Sequence, residues 1–287
     1  MTIRNPVEWG ADQFKGGSHA AGTGGHAALG TKGELNSLVP GICRIKPGDL
    51  REVLAKGFED FGAYRTDVIF LCVIYPVVGL ILAQFAFERD MFQLLFPLAS
   101  GFALIGPFAA VGLYEMSRRR EQGVTVNWAD AFGVLRSPSF GSILALGLLL
   151  VVIFLVWLFT AQAIYLVTMG PEPPASFSSF ISEVFTTGAG WALIVLGVGV
   201  GFLFAVLVLA ISVVSFPLLL DRKVGVATAV WTSVRVAMAN PRAMAAWGLI
   251  IVGGLVLGSI PLFIGLAVVM PVLGHATWHL YRKTVAS

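Results

Sequence analysis

Charge is scarce in this sequence. Only 12% of its residues are Asp, Glu, Lys or Arg, about half the share found in soluble domains. With 57% of the chain hydrophobic, there is too little polar surface to cover a fold in water. Cysteine is nearly absent. Cys43 lies in a polar stretch and Cys72 in a distant apolar run, which argues against a disulfide and leaves no CxxC spacing for a metal. The net charge of +3 is too small to point to nucleic acid. The polar, glycine-rich opening has no apolar core of the kind a cleavable signal peptide needs.

What the chain has instead is long uncharged runs. Residues 68–87, 91–114, 139–171, 184–220 and 243–281 contain no Asp, Glu, Lys or Arg. A run of about 18 such residues or more reads as a membrane-spanning helix. The expected fold class is therefore all-α, a polytopic helical membrane protein. As one helix, 243–281 would measure about 58 Å, roughly twice the hydrocarbon thickness. Basic residues cluster at 44–65, 118–136, 222–242 and 282–283, whereas 88–91 and 170–185 hold only Arg89. Lys and Arg favour the cytoplasmic side. That bias places both termini in the cytoplasm only if the last run crosses twice, turning at "LGSIP" (257–261). Six spans follow, near 68–88, 91–116, 141–168, 190–219, 242–258 and 261–281. A single helix kinked at Pro261 and Pro271 is the alternative for the last two.

An amphipathic stretch precedes each pair of spans, at 49–65, 127–136 and 225–241. The pattern describes three hairpins, each led by a cytoplasmic interfacial helix. In the first stretch Leu50, Val53, Leu54, Phe58 and Phe61 fall at helical spacing with charges opposite. Residues 1–44 read as a flexible Gly-rich cytoplasmic tail, and 45–287 as the transmembrane helical domain. His19 and His26 in the tail have no rigid shell for a metal.

Few residues could carry chemistry. "PVLGHATWHLYRK" (271–283) puts His275 and His279 on one helix face. They are the candidates for metal or haem, but no other span offers a histidine, and a bis-histidine haem needs ligands from opposite sides. The simpler reading is a span end, with Trp278 and Tyr281 as an aromatic belt and Arg282 and Lys283 as its basic cap. No cofactor is expected. Tyr114, Glu115, Arg118, Arg119 and Arg120 end the second span, and Arg222 and Lys223 follow the fourth. These residues suit contact with a partner or with anionic lipid headgroups. Gly197, Gly199 and Gly201 give the small-residue spacing that lets helices approach closely. Prolines 76, 97, 107, 217 and 271 interrupt the spans, as in transporters but also in many helices that transport nothing. No ionisable side chain lies at mid-span, which weakens a transporter reading. No nucleophile–base pair or phosphate loop appears, which weakens an enzyme reading.

Three stretches together, 101–123, 212–234 and 240–283, resemble a bacterial family of predicted integral membrane proteins, the domain of unknown function 2189. The resemblance runs from about Ile45 to Lys283. It implies no established activity, although some members carry the label of a cytochrome c oxidase subunit. The histidine and cysteine content excludes a catalytic oxidase subunit. The expectation is a non-catalytic protein of the bacterial inner membrane. It would contact membrane lipids and a larger membrane protein complex, as an accessory or assembly factor. A small-molecule or lipid transporter is the alternative.

Overall fold

The computed structural model describes residues 40–72, 91–124, 126, 128–261 and 264–286, with positions 77, 80, 81, 84, 87 and 88. Residues 1–39 of the glycine-rich tail, and most of the expected span at 68–88, lie outside the described residues. Ten α-helices are described: α1 (Leu50–Cys72), α2 (Leu95–Ala109), α3 (Val111–Glu121), α4 (Phe140–Met169), α5 (Phe177–Thr186), α6 (Gly188–Ser212), α7 (Ser215–Asp221), α8 (Val226–Ala239), α9 (Pro241–Ser259) and α10 (Leu266–Thr284). A 3-10 segment, Trp128–Arg136, connects α3 to α4. No strand forms among the described residues. One isolated antiparallel bridge ties Ile42 to Val285.

Among the described residues, four helical stretches are long and apolar enough to cross a membrane: Phe92–Glu121, Phe140–Met169, Gly188–Asp221 and Pro241–Ser259. They coincide with the second to fifth expected spans. α10 stands apart, because its C-terminal half carries His275, His279, Arg282 and Lys283.

Proline breaks two of these stretches. Pro107 cannot donate to the preceding turn, and α2 gives way to α3 at Ala110. Pro217 crowds the carbonyl four residues earlier, and α6 stops at Ser212 before α7 resumes at Ser215. Backbone freed inside a membrane protein must be satisfied by neighbours. Here side chains do so: Val214 N donates to Ser233 Oγ of α8 at 3.4 Å, and the Ile211 carbonyl accepts from Ser215 Oγ at 2.5 Å. α4 ends differently. Gly170 takes φ 93°, a conformation side chains rarely adopt, and Pro171, Pro173 and Pro174 prevent resumption. The segment that follows contains the short helix α5, whose N-cap Ser176 Oγ accepts from Ser179 N at 3.1 Å. Its Phe180 and Val184 pack on Tyr165 and Phe92.

The last apolar run is two helices, not one kinked helix. A Cβ on Gly265 would lie 2.8 Å from Gly258 Cα, and one on Gly254 would lie 3.1 Å from Val269. Residues seven apart in a continuous helix are about 10 Å apart along the axis. The chain therefore reverses between Ser259 and Leu266, a few residues later than the expected turn.

The first and last described helices form the tightest seam. A Cβ on Gly57 would sit 2.7 Å from Ala276 Cβ and 2.8 Å from the Val272 carbonyl, so the α1 and α10 backbones meet there. The buried stripe of α1 is Leu50, Val53, Gly57 and Asp60, while Phe58 is 57% exposed. The apolar face expected from Leu50, Val53, Leu54, Phe58 and Phe61 is thus rotated, because Gly57 admits another backbone and Phe58 would not. Trp157, Trp247, Trp278 and Phe216 anchor the core. Trp157 Nε1 donates to the Pro97 carbonyl at 3.0 Å, which satisfies its buried N–H. Elsewhere the long helices expose large apolar side chains, such as Phe159, Val167 and Leu203, as surfaces facing lipid do.

Candidate functional site

Two polar assemblies form where the spans end at the basic side of the molecule. The first is centred on Asp60. Its helix α1 lies against α10 and α3, and its carboxylate is directed into the seam, 6% exposed. Oδ2 accepts from Ser117 Oγ at 2.5 Å and lies 2.9 Å from His279 Nε2. Oδ1 accepts from Arg120 Nη1 at 2.5 Å. His275 is fully buried, its Nδ1 2.8 Å from Ser117 Oγ. Ser117 has one proton. If that proton goes to Asp60, Nδ1 of His275 must be the donor to Ser117. The His275 Nε2 has no hydrogen-bond partner among the described residues. Burial alone would raise the Asp60 pKa. Donation from His279 and Ser117, and the fields of the two imidazoles, more than offset that and hold it below the usual carboxylate value.

These contacts correct the span-end reading of the C-terminal helix. Trp278 and Tyr281 form no aromatic belt, since both are only 1% exposed. Trp278 Nε1 donates to Glu121 Oε2 at 3.0 Å, and Tyr281 Oη to Asp221 Oδ2 at 2.6 Å. Arg282 pairs with Glu121 at 3.0 Å, and Lys283 pairs with Glu52. The cause is the cover that α1, α3 and α7 provide, which a sequence window does not see. His275 and His279 are engaged with Ser117 and Asp60. Among the described residues no group of three or more His, Cys, Asp or Glu side chains is placed to hold a metal ion. Sequence reasoning missed Asp60 and Ser117. The available signal was an acid at the i+3 and i+7 positions from Gly57 and Val53, on the stripe that is otherwise apolar.

The second assembly is a basic cavity of about 400 Å³ lined by α3, the end of the 3-10 segment and the α7–α8 connection. It gathers Arg118 and Arg119, Arg222 and Lys223, as the sequence reading grouped them, and adds Arg136. Glu115, 2% exposed, lies under the first two. It accepts from Arg118 Nε at 2.8 Å and Arg119 Nε at 2.7 Å, and Arg119 also reaches Asp130 at 2.5 Å. Arg222 donates to the Ala286 carbonyl. Arg136 and Lys223 make no ion pair with any described residue. Tyr114 is buried in the core, and Arg120 points away to Asp60, so neither lines the cavity.

The glycine stripe divides. A Cβ on Gly201 would meet the Trp157 ring at 3.0 Å, whereas Gly197 and Gly199 face open space. Of these three glycines, Gly201 alone packs closely against described residues.

Long apolar helices without a strand among the described residues define an integral membrane protein of the all-α class. Residues 95–221 match the sequence model of one family, described as predicted integral membrane protein (DUF2189). That segment runs from α2 to α7 and includes most of the basic cavity. No curated protein and no solved structure matches the chain.

Proposed function

We propose that this is a non-catalytic protein of the bacterial inner membrane that works through contacts at its basic, cytoplasmic face. It would act as an accessory or assembly factor beside a larger membrane complex, such as a respiratory oxidase. One observation carries the reading: cations far apart in sequence, Arg118, Arg119, Arg136, Arg222 and Lys223, converge on one cavity, while the spans hold no charge at depth. Positive-inside bias orients that face to the cytoplasm. Affinity purification of the full chain from native membranes, with mass spectrometry, tests it. Charge reversal at Arg118 and Arg119 should weaken recovery of a reproducible complex, more so at low salt, where exposed charges act furthest. Gly197→Leu should weaken it too, if that open face is a packing surface, because nothing in the fold opposes the larger side chain. Unchanged recovery in both variants would remove the proposal.

A further inference from the structure

We propose that the basic cavity is a binding site for the phosphate of an anionic glycerophospholipid headgroup; the proposal rests on the cytoplasmic-face reading above. The placement comes first. The stretch Phe92–Glu121 ends there with Arg118 and Arg119, Gly188–Asp221 ends there with Asp221, and Phe140–Met169 begins just beyond Ser139. Three membrane-length helices reach the cavity from one side, so it lies at headgroup depth.

Charge comes second. Five cations line the cavity, against Glu115 and Asp221. Arg118 and Arg119 share Glu115, and Arg119 also pairs with Asp130, while Arg222 lies near Asp221 and holds the Ala286 carbonyl. Arg136 and Lys223 remain without an ion-pair partner among the described residues, facing one space together with Ser137 and Ser139. An Arg fork, a Lys point charge and hydroxyls are the donor set that phosphate oxygens take. The volume of about 400 Å³ is within the usual range of ligand sites, about 300–1,000 Å³.

The third observation separates a lipid from free phosphate. The segment that delivers Arg136 also carries Leu135 beside it, 59% exposed. An apolar side chain beside a cation is what an interfacial segment buries at the acyl boundary while its charge meets the headgroup. A soluble anion would leave Leu135 as exposed as before.

The test uses the purified full chain in detergent, titrated with phosphatidylglycerol, with phosphatidylcholine as the zwitterionic control and inorganic phosphate as the free-anion arm. Bound lipid is counted by native mass spectrometry. Phosphatidylglycerol should bind saturably, and phosphatidylcholine should not. The variant Arg136→Gln/Lys223→Gln should bind it about thirty-fold more weakly, at about five-fold for each headgroup-facing charge. Neither residue makes an ion pair with a described residue, so the fold should persist. Arg242→Gln removes an exposed cation outside the cavity and should change binding less than two-fold. Equal loss in Arg242→Gln would mean diffuse attraction and overturn the site. Displacement of the lipid by inorganic phosphate at comparable concentration would assign the cavity to a free anion instead. A double variant that keeps its lipid but loses co-purifying proteins would make the cavity a partner surface. Loss of lipid with the complex intact would leave this site standing and count against that use of the cavity in complex formation.

Discussion

Replacing Asp60 by Ala removes one buried carboxylate and disturbs three helices together. Ser117 and His279 lose their common acceptor, Arg120 loses its carboxylate, and His275 loses the anchor that holds Ser117 in place. Breaking a buried ion pair by deleting one partner costs about 3–5 kcal/mol. For a chain of this size that corresponds to a fall of about 10 °C in unfolding temperature, readable by the thermal loss of monodisperse protein in mild detergent. Asp60→Asn keeps the shape and one acceptor oxygen, and should cost less. The pair Asp60→Asn and His279→Ala should be non-additive, with a coupling of about 0.5–3 kcal/mol, because the two groups touch. The pH dependence has a definite sign. The Asp60 pKa is held below its ordinary 3.8, so the stabilisation is present in full above that value and is lost as pH falls through the lower folded value. The gap between wild type and Asp60→Asn should close as pH falls below about 4. A fall of less than about 2 °C for Asp60→Ala, or strict additivity with His279→Ala, would refute the clasp as a stabilising element.

Gly57→Ala should destabilise by about 1–3 kcal/mol, since its Cβ would press on the α10 backbone. Gly62→Ala, with nothing within 4 Å, should be neutral or slightly stabilising through helix propensity; the same thermal assay separates them. For topology, a cysteine at Pro173 should react with an impermeant maleimide in intact, outer-membrane-permeabilised cells, and one after Val285 should not. Labelling of the latter would reverse the orientation of the last hairpin. The purified protein should carry no stoichiometric haem or copper, and a Soret band that vanishes in His275→Ala would show otherwise.

The sequence by itself determined the class and the boundaries of α4, α8 and α9. Charge-free runs longer than a bilayer is thick have one stable form, a hydrogen-bonded helix, so α4 and α9 fall within a residue or two of their expected limits. Prolines were legible as possible interruptions but not which of them would act: the chain parts near Pro107 and Pro217, while Pro97 and Pro271 lie inside unbroken helices. The reversal between α9 and α10 was legible because basic residues sort to one side of a membrane. Only the tertiary structure decided what α1 and the C-terminal residues do. An amphipathic helix followed by a span end looks the same whether its face meets lipid or another helix. The choice was made at Gly57, where the absence of a side chain lets α10 approach. That approach buries Asp60 and draws His275, His279, Trp278 and Tyr281 inward. The basic cavity divides between the two levels. Its cations were visible as residues near span ends, but their convergence, the addition of Arg136 and the diversion of Arg120 to Asp60 depended on how three helix ends pack. Packing is a long-range property, and no window of sequence contains it.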